Sequence, residues 1–514
     1  MTPFAVQTLT DFSKPENVQK QKEALALVNE QLGKEYPNII GGKEIFSEKK
    51  TKSLNPANPD EVVGIFQKSG KDQAELAIQT AWETFQTWQH FPAEERAKFL
   101  LKAAEVCKKR RFEINAWMIK EVGKNYAEAD ADTAEAIDFL EFYGREMIRY
   151  AQPQPLTPYP QEYNEYFYIP LGVGVVVPPW NFPFAIMVGM TSASIVTGNT
   201  VVLKPSSDSP MMAKLFTDIM QEVGLPDGVL NLLVASGGEA GDYLVDHPKT
   251  RFIAFTGSVE VGCRIYERAA KVNPGQIWLK RVIAEMGGKD TLIVDSETPS
   301  IDAAVSATVT SAFGFQGQKC SACSRVIVDE SIYDEFVDKL IKAVKELPIG
   351  NPEDNYRFGP VVSASAEASI LEYMELAKKE GNVLVGGNKI DRPGYFLEPT
   401  VVADIPVDHR ISLEEIFGPV LAVFKSKNFD EALQIANNTA YGLTGGVFTK
   451  NREKLIKARK HFHVGNLYFN RKITGAIVDV HPFGGFNMSG TDSKAGSRDY
   501  LLLFMQGKSV SEVL

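Results

Sequence analysis

The sequence predicts an α/β protein made of two units, a parallel-sheet unit and a second αβ unit after it. Three observations carry this expectation. Strand-like apolar runs alternate with helix-like segments from about residue 172, and the pattern resumes after residue 285. Such alternation makes a parallel sheet with helices on both faces. The length of 514 residues exceeds what one core ordinarily holds. A hydrophobic content of 44% with 23% charged residues belongs to a soluble globular chain.

Residues 15–33 read as a charged helix and 39–43 as a short hairpin, with no chemistry in either. Between residues 71 and 123 lie two or three amphipathic helices. Ile78, Trp82 and Phe85 fall at i, i+4, i+7, and Leu100, Ala103, Ala104 and Cys107 at i, i+3, i+4, i+7. That spacing makes Cys107 a core residue. An acidic helix with Glu128, Asp130, Asp132, Glu135 and Asp138 follows, and most of its charges are expected on a solvated face. The Pro- and Tyr-rich stretch 152–170 reads as an extended arm or hairpin, or as an ordinary surface connection.

The clearest architectural signal comes next. Strands are expected at 172–177, 200–203, 229–234 and 251–255, and helices at 184–197, 210–223 and 238–246. Ser209 before Pro210 is a helix start, the hydroxyl capping free N–H groups and the proline presetting φ. Ligands of such sheets sit outside the carboxyl ends of the strands. Those ends carry Pro178-Pro179-Trp180-Asn181-Phe182, Lys204-Pro205-Ser206-Ser207, Ser236-Gly237-Gly238 and Thr256-Gly257-Ser258. Lysine and serine donors beside helix N-termini suit a phosphate, and an aromatic suits a flat ring. One sheet edge therefore reads as a nucleotide site. The glycine pattern of 257–262 is weak evidence alone, because a tight strand–helix turn needs the same residues.

The second region has expected strands at 291–295, 325–328, 400–403 and 420–424, and an edge strand within 500–514. Its central feature is the stretch 313–325, FGFQGQKCSACSR. A thiol that only fills a core sits among large apolar side chains. Cys320 instead has Gln316, Gln318, Lys319 and Ser321 as neighbours, and a cation such as Lys319 favours the reactive thiolate. The other reading is a structural cysteine ahead of a strand, and Cys323 competes as nucleophile; local composition leaves these open. His461 and His463 have no third ligand nearby, so no metal is expected and the cysteine's partner should be a carboxylate.

A net charge of −10 argues against nucleic acid as a partner. No apolar run reaches bilayer-spanning length, and the N-terminal stretch lacks the features of a signal peptide. Four cysteines in so long a chain make no disulfide framework, and a reducing cytoplasm is the expected home.

Five stretches then fall into one pattern: 315–320 around Cys320, Glu285-Met286-Gly287-Gly288-Lys289, Pro179-Trp180-Asn181-Phe182-Pro183, Phe255-Thr256-Gly257-Ser258 and Glu415-Ile416-Phe417-Gly418-Pro419. In this order they resemble the aldehyde dehydrogenase superfamily from about residue 40 onward. The runs 317–325, 463–469 and 470–476 resemble the branch that oxidises L-glutamate γ-semialdehyde to L-glutamate, a step of proline and arginine breakdown. The resemblance implies a Rossmann-like NAD-binding domain from 1–150 and 171–284, a catalytic domain from 285–483, and a small β oligomerisation arm from 151–170 and 484–514.

It also implies roles. Cys320 would attack the aldehyde, Asn181 and the Cys320 N–H would hold the oxyanion, and Glu285 would act as general base. Pro179, Trp180, Lys204, Ser207, Gly237, Gly257, Ser258, Glu415 and Phe417 would bind the cofactor. Where many members carry a glutamate that repels a 2′-phosphate, this chain has Ser207, so NAD is expected and NADP is possible. Ser321, Gly475 and Ala476 would hold the substrate carboxylate, Glu135 its amino group, and Phe182 and Phe483 its aliphatic chain. The partners implied are a small-molecule substrate and further copies of the chain, a homodimer or larger. Alternatives are a dehydrogenase for another ω-semialdehyde, such as that of succinate, and a nucleotide-binding protein without chemistry.

Overall fold

Residues 3–514 are described by the computed structural model, so the first two residues of the expected cofactor domain lie outside the described residues. Two seven-stranded sheets organise the chain. The first runs in the order Arg281–Glu285, Thr250–Thr256, Val173–Val177, Thr200–Leu203, Leu230–Leu232, Asn38–Ile40, Lys43–Ile45. Its first five strands are parallel, and the hairpin of Asn38–Ile40 and Lys43–Ile45 closes one edge antiparallel. The second runs Asn382–Val385, Thr400–Ala403, Val420–Ser426, Cys323–Asp329, Asp290–Val294, Thr444–Phe448, Asn466–Phe469, with only its first pairing antiparallel. Val173–Val177 shows why these runs are strands. A β-branched stretch covered on both faces is what a central parallel strand requires. Among the described residues no helix is long and apolar enough to cross a membrane.

The helices 184–197 and 210–223 of the sequence reading appear as Ala185–Val196 and Pro210–Glu222. The expected cap does not: the Ser209 hydroxyl makes no capping bond. The buried Glu121 carboxylate accepts the Met211 N–H at 2.8 Å and the Met212 N–H at 3.3 Å instead. A carboxylate at a helix N-terminus also meets the positive end of the macrodipole, so it displaces a neutral hydroxyl. Cys107 is fully buried, in the core where its spacing put it.

The acidic helix is the larger correction. Tyr126–Tyr150 buries Asp130, Asp132 and Asp138 rather than turning them to solvent. Each has a partner distant in sequence. Arg111 grips Asp130 with two bonds of 2.6 Å. Asp132 takes the Lys124 ammonium at 2.6 Å and the Ala185 N–H at 2.5 Å. Asp138 accepts the Gln7 N–H at 2.9 Å. Buried charge is tolerable only when paired in this way.

Glu162–Pro170 pairs antiparallel with Met505–Val513 in a two-stranded ribbon. This ribbon is narrower than the expected arm of 151–170 with 484–514. Residues 484–504 do not belong to it. The run Tyr500–Phe504 is too apolar to stand in water, and Leu501 and Phe504 are buried in the core that includes Val176, Val201 and Leu203 of the first sheet.

Removing one member of the fully buried Lys124–Asp132 pair leaves an uncompensated charge. Lys124→Met should therefore destabilise the protein by about 3–5 kcal/mol. Lys124→Met/Asp132→Leu should recover most of that loss when denaturant midpoints are compared.

Candidate active site

The loop that carries Cys320 is shaped by unusual backbone. Helix Ile301–Phe313 ends, and Phe315, Gln316 and Gly317 follow in the left-handed region with φ of 49°, 57° and 70°. Gly317 has no alternative, because a Cβ there would lie 2.3 Å from the Gly418 carbonyl oxygen. Phe315 and Gln316 pay about 1–3 kcal/mol each for this geometry. Both are buried, which holds them in it. The Gln318 side chain accepts the Val362 N–H at 2.9 Å, and its carbonyl accepts the Asn181 side-chain N–H at 3.0 Å. That second bond ties the loop after Val173–Val177 in the first sheet to the cysteine loop of the second.

Cys320 ends up half-buried between two cavities, and it lines both. Cys323 opens a strand, is buried and lines neither. The larger cavity, about 760 Å³, runs along the carboxyl ends of the first sheet. Pro179, Trp180, Asn181, Lys204, Ser207, Gly237, Gly257, Ser258, Glu415 and Phe417 all line it. The smaller, about 100 Å³, is walled by Phe182 and Phe483, with Glu135, Glu285, Ser321, Gly475 and Ala476 at its surface. The sequence-predicted residues thus fall into two groups that meet at one sulfur.

The large cleft fits a dinucleotide on its own evidence. Lys204 is buried in the cleft wall, burial lowers its pKa, and no acidic side chain pairs with it among the described residues. A buried unpaired amine is a standing demand for a hydrogen-bond acceptor. Nothing lies within 4 Å of where a Cβ on Gly237 or Gly238 would stand, so a ligand can reach the backbone there. At the far end the Glu415 carboxylate accepts the Gly288 N–H at 3.0 Å. Gly287 permits this approach, since a Cβ on it would come within 2.0 Å of Glu415 Oε2.

Charges around the sulfur are mostly negative. Burial pushes the Cys320 thiol up, and Asp290, Glu415 and Glu285 push it the same way. The expectation that Lys319 favours the thiolate is overturned. Its ammonium turns away to Glu128, at 2.6 Å and 2.8 Å from the two carboxylate oxygens. Burial also raises Glu285 to about 7 and Glu415 to about 7. Glu135 rises to about 8, from burial first and the nearby Asp132 second.

Sequence reasoning missed how Glu285 is held. Ser493 donates to it through its hydroxyl at 2.5 Å and its N–H at 3.3 Å, and the Gly485 N–H adds a contact at 3.4 Å. Nothing in the run Thr491-Asp492-Ser493-Lys494 signals this, because the partner lies 208 positions away. Tyr143 and Tyr500, stacked at 5.3 Å, also line the smaller cavity without a signal in the sequence. His463 meets Asn487 rather than a second histidine, and among the described residues no group of three His, Cys, Asp or Glu could hold a metal.

A thiol at the meeting point of a dinucleotide cleft and a carboxylate-bearing pocket defines a class of enzyme. The chain belongs to the aldehyde dehydrogenase family, which its residues 45–510 match. Among curated proteins it is 56% identical over 512 residues to the 1-pyrroline-5-carboxylate dehydrogenase of Geobacillus kaustophilus, covering 99% of each chain. Among solved structures it is similar to the 1-pyrroline-5-carboxylate dehydrogenase from Thermus with bound NAD, with a TM-score of 0.99, 49% identity and full coverage of both chains. Proline utilization A from Bdellovibrio bacteriovorus matches with a TM-score of 0.98 and 44% identity, over 99% of this chain and 53% of that one.

The carboxylates around the sulfur have a measurable consequence. An acid whose pKa is raised ionises only at higher pH, so alkylation of Cys320 by iodoacetamide in the cofactor-free protein should still be accelerating above pH ~9, past the ordinary thiol range. Glu415→Gln should speed it at fixed pH, with peptide mapping to separate Cys320 from the exposed Cys263.

Proposed function

We propose that this protein oxidises L-glutamate γ-semialdehyde, the open form of 1-pyrroline-5-carboxylate, to L-glutamate with NAD as hydride acceptor. The observation that carries this reading is the shared position of Cys320. Its sulfur faces a dinucleotide-sized cleft on one side and, on the other, a narrow pocket with an aromatic waist, a carboxylate (Glu135) and an open glycine turn (Gly475-Ala476). An amino-acid semialdehyde matches that pocket group by group. Its ammonium suits Glu135, its α-carboxylate suits Ser321 and the turn, and its methylenes suit Phe182 and Phe483. The names and identities of the relatives support the same reading.

Each side chain then has a task. Ionised Cys320 bonds to the aldehyde carbon, and the carbonyl oxygen becomes an oxyanion. A primary amide has two N–H donors. Asn181 spends one on the Gln318 carbonyl, which fixes the amide, and keeps the other for the oxyanion beside the Cys320 N–H. Glu415 and Phe417 would hold the ribose and ring of a bound nicotinamide, which would supply the hydride acceptor; collapse of the oxyanion with loss of hydride from the same carbon leaves a thioester on Cys320. Glu285 removes a proton from the water that hydrolyses the thioester, and a carboxyl lifted to about 7 suits a base at neutral pH. Lys204, Gly237, Gly257 and Ser258, with Pro179 and Trp180, hold the rest of the dinucleotide. Ser207 places no negative charge there, so NADP is the second acceptor to assay.

The domain division follows: residues up to 150 with 171–284 serve the cofactor, and 285–483 serve the chemistry. The ribbon of Glu162–Pro170 and Met505–Val513 leaves Tyr163 and Val513 exposed. Two strands alone are marginal in water and an open edge seeks a partner. The assembly is therefore at least a homodimer. Four unpaired cysteines suit a reducing compartment, the cytoplasm.

One spectrophotometric assay tests the proposal. Glutamate semialdehyde should reduce NAD far faster than succinate semialdehyde does, and Cys320→Ala should abolish turnover; preference for succinate semialdehyde would remove the α-carboxylate and amino assignments. The Ser493 bonds favour the ionised form of Glu285, so their loss raises its pKa. Ser493→Ala should accordingly move the acidic limb of the pH–kcat profile up by about one unit, the scale of one charge-assisted hydrogen bond. The first-turnover burst of NADH should persist.

A further inference from the structure

Residues 4–12 lie ahead of the family-matched region and form neither helix nor strand, yet they are not loose. They run extended along helix Tyr126–Tyr150, with Phe4, Gln7, Thr10 and Phe12 half-buried and the residues between them mostly exposed. The Gln7 N–H donates to Asp138 at 2.9 Å. Thr10 reaches Asp130 through both its N–H and its hydroxyl, each at 2.7 Å. Arg111, which also grips Asp130, donates to the Thr8 carbonyl at 3.0 Å. Phe4 packs on Phe142 at 5.3 Å and Phe12 on Tyr126 at 5.4 Å.

The same helix presents Glu135, Phe139 and Tyr143 to the substrate pocket. Glu128, Asp132 and Glu135 share one face at i, i+4, i+7, Asp130 sits on the opposite side of the helix, and Asp138, three positions past Glu135, lies beside that shared face. The helix is thus held from two sides, by the extended segment on one and by the Lys124 and Ala185 contacts of Asp132 on the other. Glu135 itself makes no hydrogen bond among the described residues, so the seating of its helix is what aims it. Resting on the functional reading above, we propose that residues 4–12 are a positioning strap that sets Glu135 for the substrate's amino group. The strap touches neither the cofactor cleft nor Cys320.

The test keeps the chain full length. In Gln7→Pro/Thr10→Val the N–H bond to Asp138 and the hydroxyl bond to Asp130 are both lost. The kcat/KM for glutamate semialdehyde should fall about tenfold, the size of one misplaced charge-assisted contact. Glutarate semialdehyde, which has the same reach without the amino group, should lose little, and the KM for NAD should not move. Thr10→Val alone should show a smaller fall in the same ratio, and Thr10→Ser, which keeps the hydroxyl, should restore it. Equal losses for both aldehydes, or no change in their ratio, would overturn the strap. Amide hydrogen exchange over residues 135–143 reads the same seating without any substrate: it should quicken in the double variant, and unchanged exchange would overturn the proposal too. An unaltered chain that fails to discriminate the two aldehydes would instead count against the substrate reading.

Discussion

The buried pair of Lys124 and Asp132 joins three of the parts that shape the site. The two ends of this pair serve different structures. Asp132 accepts the Ala185 N–H at 2.5 Å and so caps the helix after strand Val173–Val177 of the nucleotide-binding half. The Lys124 ammonium lies 4.1 Å from the Phe182 ring and 5.0 Å from the Phe315 ring. Phe182 walls the smaller cavity, and Phe315 is the first left-handed residue of the cysteine loop. Taking both charges out of water is costly, and their mutual attraction offsets that only with good geometry and further hydrogen bonds. Here the same pair aligns a pocket wall, a helix start and the strained turn before Cys320. Exchanging it for apolar side chains would keep the volume and lose that alignment.

The site also concentrates negative charge. Glu285, Glu415 and Asp290 all act on one sulfur, and burial raises each of the three carboxyls. Together they make the thiol reluctant to ionise. Cationic groups that enter the cleft or the pocket relieve the repulsion, so occupancy and reactivity are coupled by simple electrostatics. Two cations are committed elsewhere, Lys319 to Glu128 and Lys494 to the carbonyls of Gly465 and Gly484.

Much of this was legible in the sequence, for identifiable reasons. The central strands of both sheets are short β-branched runs bounded by turn residues. The short segments just after those strands line the cleft, because a parallel sheet puts all its strand ends on one edge. Thr444–Phe448 was missed since Gly445 and Gly446 interrupt the apolar pattern. The acidic helix misled for a different reason. Periodicity reports where charges lie around an axis, but Asp130 and Asp138 are buried by a segment more than a hundred positions away. Ser493 was invisible likewise: one hydroxyl among ordinary loop residues gains meaning only through the fold that brings Glu285 to it.

The ribbon carries a consequence for how the molecule is made. Glu162–Pro170 emerges early from the ribosome, and its partner Met505–Val513 follows only after the entire second sheet has been synthesised. Since domains generally fold as they emerge, the nucleotide-binding half must wait through most of translation with a bare, tyrosine-rich strand. Nascent chains would be most prone to pair wrongly with one another during that interval, and closure of the ribbon is a late event in folding.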